Sequence, residues 1–138
     1  IISFLPNIYD TNAKERNSLL TIAKLATTKF AKKPFVHFWI QAGDQLDLER
    51  DLNLGFGFPA VIAIAPKKKL IGVLQSTYSV NSISNFLTDL KAGKASMSKL
   101  RTKMDFKEAE LWDGKDAPTM PDEEGYDDDE EAPPQNSD

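Results

Sequence analysis

Along the first 93 residues, apolar positions alternate between strand-like clusters and helix-like spacing. Ile1-Ile2-Ser3-Phe4-Leu5 reads as a short buried strand stopped by Pro6. Leu19, Ile22, Ala23, Ala26 and Phe30 then recur at helical intervals and make one apolar face. Asp10 or Thr11 is placed to cap that helix, which begins near Asn12, and Lys32-Lys33-Pro34 ends it. From Phe35 to Ile40 the chain is apolar on both parities apart from His37, the pattern of a central strand covered on both sides. Trp39 is expected in the core, on the sheet face opposite His37. After Gly43, Asp44 can cap a shorter helix carrying Leu46 or Leu48 and Leu52, closed by Asn53 to Gly55. Ala60 to Ala65 is a third strand, and Leu70 to Leu74, beyond Pro66 and three lysines, is close enough to be its antiparallel partner. Ser79 suits the cap of a last helix with Val80, Ile83, Phe86 or Leu87, and Leu90 on one face, ended by Gly93.

The order is therefore β-α-β-α-β-β-α. Parallel strands need helical crossovers and the final pair needs only a turn, so the string predicts an α/β body with a mixed sheet and helices on both faces. That body covers residues 1–93. Residues 94–120 carry Leu100, Met104, Phe106, Leu111 and Trp112 at irregular spacing and read as an extension packing partly on the body, with Trp112 as a staple or as part of a partner site. Residues 121–138 hold Tyr126 as their one large apolar side chain, too little to offset the entropy of ordering, and read as a disordered acidic tail.

Composition removes several kinds of chemistry. With no Cys and one His in 138 residues, the chain has no thiol nucleophile, no disulfide, no CxxC centre and no His/Cys zinc cage. No apolar run reaches the roughly 20 residues of a membrane-spanning helix, and nothing resembles a signal peptide. The first residue is Ile and the sequence opens on a strand, as expected of a piece of a longer protein. The net charge of −4 hides a polarity. Through Met104 the chain has 15 basic and 7 acidic residues; from Asp105 onward it has 14 acidic and 2 basic. A basic body with an acidic end points to a disordered or interacting terminus. The lysines cluster at Lys32-Lys33 and Lys67-Lys68-Lys69 without interleaved aromatics, so no nucleic-acid partner is expected, nor a membrane; they read as solvated loops or as the seat of a loose, salt-sensitive contact with the acidic tail of the same or another molecule. Gly55-Phe56-Gly57 follows a helix and precedes a strand, the reverse of a dinucleotide-binding loop. In the tail, Asp122, Glu123, Glu124, Asp127, Asp128, Asp129, Glu130 and Glu131 offer oxygen ligands suited to calcium. They lack EF-hand spacing, so any binding is weak and unspecific, and a merely solvating tail is as good an account. No other cofactor is expected. His37 has no Ser or Cys whose placement beside it can be argued, and it reads as a satisfied, partly buried histidine.

The element order, together with an aromatic-Pro dipeptide just before the third strand (Phe58-Pro59 within Gly55-Phe56-Gly57-Phe58-Pro59-Ala60), resembles the thioredoxin fold without its first strand and helix. In that fold the proline is cis and faces a CxxC at the start of the first crossover helix. Laying the helices together puts Asp10-Thr11-Asn12-Ala13 at that place, without sulfur. The sequence is thus similar to the redox-inactive, b-type thioredoxin-like domains of the protein disulfide-isomerase family. Phe4-Leu5-Pro6, Arg16-Asn17-Ser18 and Trp112-Asp113-Gly114-Lys115-Asp116, followed by an acidic end, extend the likeness over nearly the whole chain.

The resemblance implies a noncatalytic domain of an endoplasmic-reticulum disulfide isomerase. Its expected role is to assist folding by binding unfolded client proteins or a partner chaperone and to scaffold redox-active domains elsewhere in the parent protein. The family's retention tetrapeptide is not at this end, which reads Gln135-Asn136-Ser137-Asp138. A peptide could add as a pseudo-strand beside Phe58-Pro59, with Tyr9, Asp10, Phe56 and Phe58 around it; the plainer alternative is that the aromatics pack into the body and Pro59 is a turn. The opposing class is a low-affinity calcium-buffering or structural luminal module. For the chain alone, acid–base catalysis at His37 or Asp10 is the one enzymatic route left.

Overall fold

The computed structural model describes residues 1–30, 35–54 and 57–118. Its strands are β1 (Ile2–Leu5), β2 (Phe38–Gln41), β3 (Ala60–Ala65), β4 (Leu70–Val73) and β5 (Ser98–Lys99). Its helices are α1 (Ala13–Thr28), α2 (Leu46–Asp51) and α3 (Val80–Lys91), with a single 3-10 turn at Ile8–Asp10. The expected element order is present, and β5 is added after it. The sheet runs β2-β1-β3-β4-β5, with β1 and β2 parallel and every other pair antiparallel.

Strand alternation sends successive side chains to opposite faces. On one face, α1 and α3 cover a core of Ala26, Val61, Ile83 and Leu87. Those residues were legible because α1 and α3 keep their apolar positions three and four apart. Ser79 caps α3, accepting from the Ser82 N–H. On the other face, Ile2, Phe4, Leu54, Ala60, Ile62 and Ile71 form the second core, with Leu100 and Met104 of the extension against it. Fully burying side chains such as Phe4 or Ile62 stabilises by about 2 kcal/mol each.

Four local expectations are corrected. The run from Phe35 is a strand only from Phe38, and it lies at the sheet edge, since β1 is flanked on its other side by β3; Val36 is 76% and Phe38 43% exposed. His37 and Trp39, two positions apart, share a face: Ser3, the register partner of Trp39, bonds His37. The α1 cap is Asn12, whose side chain accepts from the Glu15 N–H at 2.8 Å. Asp10 ends the 3-10 turn instead, and the Thr11 hydroxyl donates to the Glu15 carboxylate at 2.8 Å. Before α2, Gln45 takes the cap position without a side-chain bond to the helix's own N–H groups, and Asp44 accepts from the Gln41 side chain. Of the two leucines offered, Leu48 is buried and Leu46 is exposed. Lys32-Lys33-Pro34, Gly55, Phe56 and residues 119–138 lie outside the described residues. No helix among the described residues is long and apolar enough to cross a membrane.

The extension forms a strap. Leu100 N–H donates to Lys69 C=O beside the short β4–β5 pair. Phe106 then meets Phe38 edge-on, and Gln45 clamps the main chain of Lys107 in both directions, accepting from its N–H at 2.8 Å and donating to its C=O at 2.7 Å. Trp112 packs edge-on against Trp39. The strap reaches the α1 start, where Asp116 accepts from the Ala13 N–H at 2.6 Å.

Candidate functional site

Because β1 and β3 are antiparallel with Phe4 opposite Ala60, the end of β1 and the start of β3 lie at one end of the sheet. That register brings the turn Gly57-Phe58-Pro59 to the same end as the 3-10 turn and the α1 start. The Phe58–Pro59 bond is cis, and Gly57 has φ +114°, a value open to glycine but strained for any side chain. Together with Gln75, Ser76 and Tyr78, this turn lines a cleft of roughly 330 Å³. Among the described residues no hydrogen bond engages the main-chain N–H or C=O of Phe58.

The residues singled out from sequence are only partly brought together. Phe58 and Pro59 line the cleft, but the Phe58 ring leans on Phe4, 6.3 Å between centroids, and joins the second core. Tyr9 is 63% exposed, and Asp10 is exposed; both sit at this end of the sheet without lining the cleft. Phe56 is outside the described residues. The α1 start holds no sulfur, and two of its first three N–H groups, those of Ala13 and Glu15, are taken by Asp116 and Asn12.

Arg16 is a central residue that pattern reading missed. It is fully buried, with its guanidinium 5.1 Å from the Trp39 ring centre and 5.0 Å from that of Trp112, a double cation–π arrangement. It donates to the Pro6 C=O and to the Gln41 side-chain oxygen. Burial pulls its pKa below the ordinary value, and the Asp44 carboxylate opposes that shift. The signal was available in the spacing: Arg16 lies three residues before Leu19 and continues the buried stripe of α1.

His37 does have a serine neighbour, delivered by the β1–β2 pairing: its Nε2 lies 3.0 Å from the Ser3 hydroxyl. This is no hydrolytic pair, because Ser3 is 1% exposed and no described carboxylate orients the other ring nitrogen. Nearby, the Tyr78 hydroxyl donates to the Leu19 C=O and ties the cleft wall to α1; burial raises its pKa. Burial lowers the pKa of His37. The folded state therefore favours the neutral imidazole. As pH falls through about 6.5 the unfolded chain takes up a proton first, so stability drops until the lower folded value is reached. Denaturant midpoints at about pH 7 and pH 5 should show that loss, and His37→Gln should flatten it.

No family model matches the chain. It is 34% identical over 116 residues to "Protein disulfide-isomerase like 2-2" of Arabidopsis thaliana, covering 83% of this chain and 26% of the relative. It is 35% identical over 130 residues to "Protein disulfide-isomerase A6 homolog" of Drosophila melanogaster, covering 92% and 30%. To "Protein disulfide-isomerase A6" of Homo sapiens it is 35% identical over 119 residues, covering 84% and 27%. The chain belongs to the protein disulfide-isomerase family. It spans less than a third of the length of these relatives.

For a disulfide-isomerase-family domain with a thioredoxin-like α/β sheet, the composition of the site is decisive chemically. Thiol–disulfide exchange needs a thiolate, and none of the 138 residues is a cysteine. What this end of the sheet offers is a cleft with open main-chain groups next to a helix start partly satisfied by its own chain. No cluster of three metal-ligating side chains exists among the described residues; the tail carboxylates from Asp122 to Glu131 lie outside them.

Proposed function

We propose that this domain assists protein folding without thiol chemistry, in the lumen of the endoplasmic reticulum, by holding unfolded polypeptide or a partner chaperone and by scaffolding the redox-active domains of a longer protein. One observation carries the reading. The cleft beside Phe58-Pro59 keeps an unengaged peptide group among the described residues, while Asp116 and Asn12 take up two N–H groups of the helix start where thiols would act. An extended chain can add there by main-chain bonding, which is tolerant of sequence. Light scattering of a reduced, unfolding client tests it. The chain should suppress aggregation at a few-fold molar excess, and Ser76→Trp, which fills the cleft mouth from an exposed position, should remove about half or more of that effect. Aggregation unchanged by the chain would contradict the reading.

The eight carboxylates between Asp122 and Glu131 favour a second reading, low-affinity calcium buffering. Calcium titration of the whole chain and of a form ending at Pro118 separates the two. Buffering requires several weak sites that vanish with the tail.

A further inference from the structure

A second surface lies at the opposite end of the sheet. There, where β1 and β2 begin, an open groove of about 720 Å³ is lined by Val36, Phe38, Met97, Met104, Phe106 and Lys68, among others. Val36, Phe38 and Phe106 are 76%, 43% and 49% exposed, an unusual grouping of large apolar side chains in water. Methionines on such a surface adapt to varied partners.

We propose that this groove takes an extended peptide in trans, carrying apolar side chains at alternate positions and carboxylates beside them; the proposal rests on the polypeptide-binding reading above and names a substrate class for it. Three observations choose this occupant. The groove adjoins an open strand edge: Phe38 and Ala42 donate to the Ile1 and Leu5 carbonyls, so the main-chain groups of Trp39 face away from β1, and none has a partner among the described residues. An added strand would pair there while alternate side chains enter the groove. Charge selects the flank. Lys67, Lys68, Lys69, Lys94 and Lys99 are exposed around this end and form no ion pair among the described residues, whereas the adjacent Asp105 is already beside Lys103 at 4.0 Å. Finally, the chain's own residues 119–138 supply carboxylates but only Met120 and Tyr126 as large apolar groups, so they can meet the lysines without filling the groove.

The test is fluorescence anisotropy of the whole chain with a labelled decapeptide of alternating valine and serine ending in two aspartates, against a counterpart ending in two lysines. The aspartate peptide should bind about tenfold more tightly at low salt, with the preference fading as salt rises. Val36→Asp should weaken it about tenfold or more, Lys68→Glu should remove the preference, and Ser76→Trp should leave groove binding intact. Binding lost in Ser76→Trp but kept in Val36→Asp overturns the groove and leaves the cleft reading standing. No binding of either peptide overturns both. A large gain in affinity for a chain ending at Pro118 assigns the groove to the tail, and slow amide exchange at Trp39 without peptide places another strand on that edge; either result overturns the occupant proposed.

Discussion

Arg16→Ala is expected to destabilise the domain by about 3 kcal/mol, measured as a shift in urea midpoint at constant slope. The substitution removes stacking on Trp39 and Trp112, takes the guanidinium donor away from the Pro6 C=O and the Gln41 side chain, and opens a void beside the two indoles. Full addition of those contributions would exceed 3 kcal/mol. The offset is the relief of burying a charge that, among the described residues, has no bonded carboxylate and whose Nε has no partner. Arg16→Lys keeps the charge but not the plane or the fork, and should lose about half as much. The strap should respond too: the Trp112 indole N–H, which donates to Lys115 C=O at 2.9 Å, should exchange faster and lose its distinct resonance. A loss below about 1 kcal/mol with an unchanged Trp112 signal would mean that the guanidinium does not hold the strap.

Phe4→Ala should cost about 4 kcal/mol, because Phe4 is fully buried on an interior strand and its removal leaves a large void in the second core. For a domain of this size that corresponds to a fall in melting temperature of more than about 15 °C. Phe4→Leu preserves much of the volume and should cost about 1.5 kcal/mol. Its use is functional. The Phe58 ring rests on Phe4, so the leucine variant should stay folded yet bind peptide at the cleft a few-fold more weakly. A leucine variant with wild-type peptide affinity would separate the cleft from its backing.

Elements with an unambiguous pattern were legible in sequence. β3, β4 and α3 stand where short apolar runs or three-and-four spacing put them, with Ser79 as cap, because the two strands are apolar runs bounded by turn residues and α3 buries one clear face. β2 was misplaced to the sheet centre for a physical reason: a run apolar on both parities reads the same whether two neighbours or one lie beside it, and only the register of β1 with β3 decides. The strap was legible only as irregular apolar residues. Its order comes from contacts more than 60 residues apart in sequence, such as Gln45 with Lys107 and Trp39 with Trp112, which no local period encodes. Arg16 was passed over because a charged residue on a buried stripe is normally placed outside. At the site, Phe58-Pro59 and the sulfur-free helix start were readable. The division of labour was not: Phe58 belongs half to the core, and Tyr9 and Asp10 stand apart from the cleft lining.

The most direct measurement is a titration of the 15N-labelled chain with an unstructured apolar peptide, followed residue by residue at this end of the sheet. Noncovalent holding predicts saturable shifts at Gly57, Phe58, Gln75 and Ser76, smaller ones at Tyr9, and no change on adding a thiol reductant. Spectra that stay unchanged around the Phe58-Pro59 turn at about millimolar peptide would contradict it.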